Sequence, residues 1–520
     1  MRRFNITGTC YPYKHYMVDI SERLDNIARF VADGQYITIN RGRQYGKTTT
    51  LFHLWERLKT DYVVFSISFE ALGSSEFQSN ESLAYSFFEQ MRKTLKYANK
   101  DTDENVKKIF ADISEQYSST KRLDLNTLSD FISDVCATST NPIVLFIDEV
   151  DNASNYESFI ELLRLLRNKY LNREIEPTFQ SVILAGVYDI KNLKLKVRPD
   201  SDHQYNSPWN IAVPFTENMA FSKEQIAQMI SDYEADHKTG MNINKIASLI
   251  EDYTSGYPFF VSKICKTIDD NKFAWNTEGV IDAVKIILKE SNTFFDDLNK
   301  KLDDFPELEK MLKDILYYGN AYPFNIDIKI ISIAKMFNYI DDNNGRVKIS
   351  NRIIETRLYN RFMMNELLDN IYAAGDTDKN QFIENGELKM DKILERFVFH
   401  FNEIYGQQTE KFREEEGRRY FMLYVRPIIN GTGNYYIEAE TRDRSRTDMI
   451  IDYLGRQYII EMKIWRGESY NERGERQLLE YLDYYHIDKG YLLSFCFNRN
   501  KQQGVKTIKI GNREIVEAVV

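Results

Sequence analysis

The chain has 520 residues, 43% of them hydrophobic and 28% charged, with a formal net charge of −10. This composition is that of a globular protein with room for about three or four domains, and no apolar run approaches the ~20 residues that span a bilayer, so no membrane partner is expected. Cys10, Cys136, Cys265 and Cys496 are scattered with no Cys-x-x-Cys pair, which argues against a zinc site or a disulfide framework. The start Met1-Arg2-Arg3-Phe4-Asn5 lacks an apolar secretory stretch, and a reducing cytoplasm is the expected location.

Tyr36-Ile37-Thr38-Ile39-Asn40 reads as a buried strand. Arg41-Gly42-Arg43-Gln44-Tyr45-Gly46-Lys47-Thr48-Thr49 follows, then a helix to about Leu58. Strand, glycine-containing loop and helix make a phosphate-binding loop. Its backbone N–H groups and the helix N-terminus would cradle the phosphates of ATP, Lys47 would reach the β- and γ-phosphates, and the Thr48 hydroxyl would bind Mg²⁺. The loop departs from the usual pattern, because its first glycine falls at 42 and position 41 is Arg. Further on, Asn141-Pro142 introduces Ile143-Val144-Leu145-Phe146-Ile147-Asp148-Glu149, an unbroken apolar run ending in two acids. Such a run reads as a buried parallel strand. At its end Asp148 would hold the Mg²⁺ and Glu149 would activate the attacking water. Ser181–Val187 is the next apolar strand, with Tyr188 and Asp189 as candidate nucleotide sensors.

The phrases His15-Tyr16-Met17-Val18-Asp19, Arg43-Gln44-Tyr45-Gly46-Lys47-Thr48, Ser207-Pro208-Trp209-Asn210-Ile211 and Gly256-Tyr257-Pro258 resemble the bacterial AAA-like ATPases near the STAND class, over residues 1–300. The resemblance implies an α/β ATPase core with a parallel sheet, a helical lid carrying the Gly-x-Pro element, and nucleotide-dependent self-assembly. It also tolerates the missing early glycine. His15 and Tyr16 could border the adenine, or simply belong to an aromatic segment packed on the core. Gly256-Tyr257-Pro258 also fits a helix stop and restart.

Glu307–Tyr318 and Ile330–Phe337 read as helices, Gly345–Ser350 as a β-wing, with a further helix from Asn351. This winged-helix-like pattern would contact DNA or relay the nucleotide state. Asp376–Ile383 with Glu387 has the outline of a calcium loop. Gln381 stands where that loop needs glycine, so 376–405 reads as a polar linker.

The last part of the chain reads as a helix (Glu410–Val425), strands Asn434–Glu440, Thr447–Tyr453 and Arg456–Lys463, a helix (Asn471–His486) and a strand (Gly490–Phe497). A tight turn at Leu454-Gly455 would pair Tyr453 with Arg456 and set Asp448 opposite Glu461, about 5 Å away. Lys463 shares their face. A solvated edge strand also shows alternating charges, but charges inside the apolar run Tyr458–Trp465 are costly unless they bind something. The α-β-β-β-α-β order and Asp448…Glu461-Met462-Lys463 resemble the PD-(D/E)xK nuclease superfamily. Gln477 and Tyr481 match the Gln-x-x-x-Tyr pattern of its RecB-like branch. The resemblance implies that Asp448, Glu461 and the Met462 carbonyl hold Mg²⁺ or Mn²⁺, that Lys463 serves the attacking water, and that Gln477 and Tyr481 lie along the DNA. It also implies an acid on the first helix, for which Glu415 is chosen among Glu414–Glu416. Arg446 could neutralise a phosphate or form a salt bridge.

A net charge of −10 runs against a DNA partner, which needs a local basic surface. Candidates are Lys107-Lys108, Lys194–Arg198, Arg413, Arg418, Arg419, Arg442, Arg444 and Arg446. The expected division is an ATPase core (1–215), helical lid (216–300), winged-helix-like region (301–375), linker (376–405) and nuclease-like domain (406–520). The expected function is ATP-regulated, metal-dependent DNA cleavage. The alternative is a nucleotide-driven switch or scaffold whose C-terminal domain binds DNA without cutting it.

Overall fold

In the computed structural model, residues 2–97, 103–154, 156–187, 209–318, 322–364, 382–384, 387–405, 414–429, 433–440, 446–454, 456–464, 468–496 and 503–520 are described. They form two compact units. One is Met1–Asp270 with Met336–Asn338, the other Asn271–Lys335 with Tyr339–Val520. Among the described residues, no helix is long and apolar enough to cross a membrane.

The first unit runs α1 (Ser21–Ala32), β1 (Ile37–Asn40), α2 (Lys47–Leu58), β2 (Val63–Ser68), α3 (Asn80–Tyr97), α4 (Glu104–Tyr117), α5 (Leu125–Thr138), β3 (Ile143–Asp148), α6 (Glu157–Leu171), β4 (Ser181–Gly186) and β5 (Val213–Pro214). The strands lie side by side as β2-β3-β4-β1-β5, and every neighbouring pair is parallel. Each residue of β3 and of β4 is buried. Consecutive burial means that both faces are covered, which is why these strands read as unbroken apolar runs. The strand expected at Ser181–Val187 separates β1 from β3. In a parallel sheet all carboxyl ends share one edge, so the loop after β1 and the acids after β3 open on the same side. Beyond β2, Phe88, Phe110 and Phe131 interlock α3, α4 and α5, with ring centroids 4.9 to 5.8 Å apart.

Among the described residues, three further helices follow in this unit: α7 (Lys223–His237), α8 (Ile243–Thr254) and α9 (Pro258–Asp270). A capping box between Ser222 and Gln225 opens α7. Between α8 and α9, Gly256 sits at φ 72° with its Cα against Phe221. A Cβ there would stand 2.1 Å from the Phe221 carbonyl oxygen, so only glycine lets the chain turn.

The second unit continues with α10 (Thr277–Lys289), α11 (Thr293–Asp304), α12 (Pro306–Tyr318), α13 (Lys329–Met336), β6 (Ile340–Asn343), β7 (Arg346–Ile349) and α14 (Arg352–Met364). The wing is thus a full hairpin. Asn344 and Gly345, at φ 52° and 82°, form its two-residue turn. Next come β8 (Ile383–Glu384), β9 (Glu387–Leu388), α15 (Met390–Tyr405), α16 (Glu414–Ile429), β10 (Gly433–Glu440), β11 (Arg446–Tyr453), β12 (Arg456–Ile464), α17 (Glu468–Tyr485), β13 (Lys489–Phe495), β14 (Gly504–Ile510) and β15 (Arg513–Val519).

The second sheet has the order β10-β11-β12-β13-β15-β14. β13 is parallel to both β12 and β15, and the other neighbours are antiparallel. Two features correct the sequence reading. The stretch expected to be linker ends in α15, whose Ile393, Leu394, Phe397 and Phe401 are buried; this is a helical apolar stripe that the preceding polar run obscured. The sheet also gains β14 and β15 beyond the last expected strand. β14 carries exposed Lys506 and Thr507 and so lacks a strong apolar signal.

Candidate functional site

Lys47 is the first residue of α2 and is only 5% exposed. Its Nζ donates to the carbonyl oxygens of Arg41 (3.0 Å) and Gly42 (3.1 Å). These bonds use two of the three ammonium donors and leave one that can serve a phosphate. Burial pushes the Lys47 pKa down, while Glu149, Asp151 and Asp148 pull it up. The Thr48 hydroxyl donates to Asp148 Oδ2 at 2.8 Å across a separation of 100 residues. Asp148 Oδ1 accepts the Glu149 backbone N–H at 2.9 Å. A hydroxyl and a carboxylate in contact beside the loop are the hard oxygen donors that Mg²⁺ requires. Glu149 turns off the strand end at φ 54°, and burial raises its pKa against the opposing pull of Lys47.

These side chains open on a cavity of about 470 Å³. Gln44, Tyr45, Gly46, Lys47, Thr48, Thr49 and Glu149 stand in its wall, whereas Gly42, Arg43 and Asp148 do not line it. Apolar side chains line it too: Ile6, Met17, Val18, Ile20, Met229 and Phe259. Such a slot suits a flat base. Tyr16 reaches this cavity. Its hydroxyl donates to Asp236 Oδ2 at 2.9 Å, and burial together with that bond pushes its pKa up to about 12. His15 does not reach the wall. It is buried in its own segment, where Nδ1 accepts the Tyr11 N–H at 2.9 Å. Cys10, Arg23 and Glu70 also line the cavity and carried no recognisable spacing. Cys10 ties the N-terminal segment to α2, its N–H donating to Thr49 Oγ1 (3.2 Å) and its carbonyl meeting His53 Nε2 (2.9 Å). Trp209 is fully buried and stacks on Tyr36 at 5.7 Å. Tyr188 and Asp189 lie outside the described residues.

A second group of chemically charged side chains lies on β12. Register runs from Tyr453 against Arg456 to Met449 against Ile460. The paired positions end there, one step short of Asp448 and Glu461. The side chains of Asp448, Arg446 and Glu415 lie outside the described residues, although their backbones belong to β11 and α16. Glu461 is 0% exposed, and its Oε1 lies 2.8 Å from Lys463 Nζ. Met462 is also buried, at the intervening strand position. Gln477 Nε2 donates to the Tyr481 hydroxyl at 2.7 Å on α17. That helix crosses directly above the lysine: a Cβ on Gly474 would stand 3.5 Å from Lys463 Cγ. Glu461, Lys463 and the Gln477–Tyr481 helix therefore come together. Among the described residues, no group of three His, Cys, Asp or Glu side chains is gathered for a metal.

Glu517 on β15 was not anticipated. It is 0% exposed, pairs with Lys506 at 2.7 Å, and shares a row of the sheet with Leu492 and Glu461. Of the candidate basic residues, Arg418 is buried, because α16 turns that position inward, and Lys107 pairs with Glu104 at 2.7 Å. Lys194–Arg198, Arg413, Arg442 and Arg444 lie outside the described residues.

No curated protein matches the sequence. Solved structures do match. A Walker-type ATPase of Pyrococcus abyssi is 14% identical with a TM-score of 0.46, covering 68% of this chain and 99% of that one. The RuvB Holliday junction branch migration motor of Thermotoga maritima is 13% identical with a TM-score of 0.33, covering 64% and 92%. Cdc6p of Pyrobaculum aerophilum is 13% identical with a TM-score of 0.32, covering 66% and 94%. Residues 16–363, which contain the parallel sheet, the phosphate-binding loop and the paired acids, match the model of the AAA-like domain, and the chain belongs to that P-loop ATPase family.

Proposed function

We propose that this chain binds and hydrolyses ATP at the β1–β3 edge and uses its C-terminal region as a metal-dependent DNA nuclease of the PD-(D/E)xK kind, in the cytoplasm. The AAA-like family supports the ATPase half. The observation that carries the other half is the pair Glu461–Lys463, one acid fully buried and one lysine 2.8 Å away, beneath a helix bearing Gln477 and Tyr481. The proposed division is an ATPase core (1–215), a helical lid (216–300), a winged-helix-like region (301–375) and a nuclease-like domain (406–520), the segment before the last ending in the packed helix α15, with assembly into a homo-oligomer when nucleotide is bound.

At the first site, loop amides and Lys47 would hold the phosphates, and Glu149 would take a proton from the attacking water. Thr48 and Asp148 would hold Mg²⁺, which would neutralise the charge of the phosphates. At the second site, Asp448 and Glu461 supply hard carboxylate oxygens suited to Mg²⁺ or Mn²⁺, an ion that polarises a scissile phosphate when bound. Lys463 would orient the water or take its proton, and Gln477 and Tyr481 would contact the strand being cut. Complete burial of Glu461 favours a second reading, in which the C-terminal region binds DNA without cutting and the ATPase acts as a switch.

One experiment separates the readings. Purified protein is incubated with linear, circular and single-stranded DNA plus Mg²⁺ or Mn²⁺, with and without ATP, beside three variants. Lys47→Ala should lose nucleotide affinity and hydrolysis. Glu149→Gln should bind ATP normally and hydrolyse it about 10²- to 10⁴-fold more slowly. Asp448→Ala should lose DNA cleavage while retaining ATP hydrolysis. Undiminished cleavage by Asp448→Ala would remove the nuclease reading, and parental hydrolysis by both other variants would remove the ATP site.

A further inference from the structure

Tyr257, the middle residue of Gly256-Tyr257-Pro258, is 2% exposed. Its hydroxyl donates to the Arg43 carbonyl oxygen at 2.6 Å, and its ring meets Tyr45 edge-on with centroids 4.6 Å apart. Asn338 Nδ2 in turn donates to the Tyr257 hydroxyl oxygen at 3.3 Å. The same amide fills the space beside the loop's first glycine, since a Cβ on Gly42 would stand 1.6 Å from it. Asn338 reaches this place because Met336–Asn338 clusters with the first unit while its sequence neighbours cluster with the second.

A peptide group is planar, and its carbonyl and the following N–H point in opposite directions. The Arg43 carbonyl and the Gln44 N–H belong to one such plane. Gln44 lines the cavity whereas Arg43 and Tyr257 do not, so holding the Arg43 carbonyl on the Tyr257 hydroxyl also fixes the direction of the N–H that Gln44 carries at the cavity wall. Phosphate cradles depend on successive amides aimed in this way. Lys47 already holds the Arg41 and Gly42 carbonyls, so Tyr257 fixes the next peptide along.

We infer that Tyr257 is a positioning residue for nucleotide binding, orienting the Arg43–Gln44 peptide toward the phosphates, and that Asn338 holds its hydroxyl in place. Burial keeps the Tyr257 pKa far above its ordinary value, so the hydroxyl remains a donor across the working pH range. The inference rests on the cavity being an ATP site.

The test uses the full chain and a fluorescent ATP analogue. Tyr257→Phe keeps the ring and removes the hydroxyl. Its dissociation constant for the analogue should rise about three- to tenfold, the effect of losing one hydrogen bond. KM should rise in proportion, with little change in kcat. Asn338→Ala should weaken binding in the parent and add nothing in the Tyr257→Phe background, because both act through one hydroxyl. Parental affinity in Tyr257→Phe, or additive effects in the double variant, would overturn the inference while leaving the ATP site standing. A parent protein that binds no analogue would overturn both. If Tyr257→Phe does not fold, Asn338→Ala decides: weaker binding supports the relay and parental binding overturns it.

Discussion

Glu461 shows how one residue can carry a stability cost that points to chemistry. A carboxylate removed from water is strongly disfavoured unless a cation and hydrogen bonds replace its hydration. Lys463 supplies a cation at 2.8 Å, with its own side chain 17% exposed. Lys463→Met is therefore expected to cost up to about 3–5 kcal/mol, the range for breaking a buried pair from one side. Glu461→Gln, which removes the charge and keeps the shape, should cost less, and the double variant should recover part of the loss. Hydrogen exchange of the β12 amides checks this, since it reads local opening without assuming that a multidomain chain unfolds in one step. Equal protection in the parent and Lys463→Met would mean that water already reaches the carboxylate.

Helices α16 and α17 each place a glycine against the second sheet, with different consequences. A Cβ on Gly417 would stand 2.4 to 2.7 Å from three atoms of the Phe495 ring, which is itself fully buried. Gly417→Ala must push α16 or the ring aside and is expected to cost about 1–3 kcal/mol. Gly474 in α17 meets nothing closer than 3.4 Å. There the added methyl makes ordinary contact and alanine favours the helix, so Gly474→Ala should be neutral or stabilising by up to ~1 kcal/mol. Thermal unfolding of the two variants should move in opposite directions or leave only Gly417→Ala shifted. Similar melting temperatures for both would mean that α16 does not pack on Phe495 so closely.

At the scale of the whole chain, two sheets of different construction lie in two separate units. The run Gly375-Asp376-Thr377-Asp378-Lys379-Asn380-Gln381, within the second unit, carries no apolar side chain. Segments that bury little are cut first by proteases. Trypsin is accordingly expected to cleave after Lys379 before any bond within Arg456–Ile464, where ladders flank the strand on both sides. Mass spectrometry of the first fragments checks the order, and an initial cut inside β12 would mean that the second sheet is misdrawn.

Much of this was legible in the chain alone, because it depends on residues close together. The apolar runs of β3 and β4, the loop Arg41–Thr49, and the β11–β12 register set by a two-residue turn follow from alternation, composition and short-range geometry. α15 was lost because a polar run masked its apolar stripe, and β14 because one of its faces is solvated. Chain order does not decide which distant segments meet. Only the folded sheet placed β4 between β1 and β3, set Thr48 against Asp148 100 residues away, and put Glu517 in the row of Glu461. Likewise, nothing local to Asn338 announces that it touches Gly42 and Tyr257. Such contacts form only when many buried surfaces together offset the entropy of closing long loops, a property of the whole packed core that no short window of sequence contains.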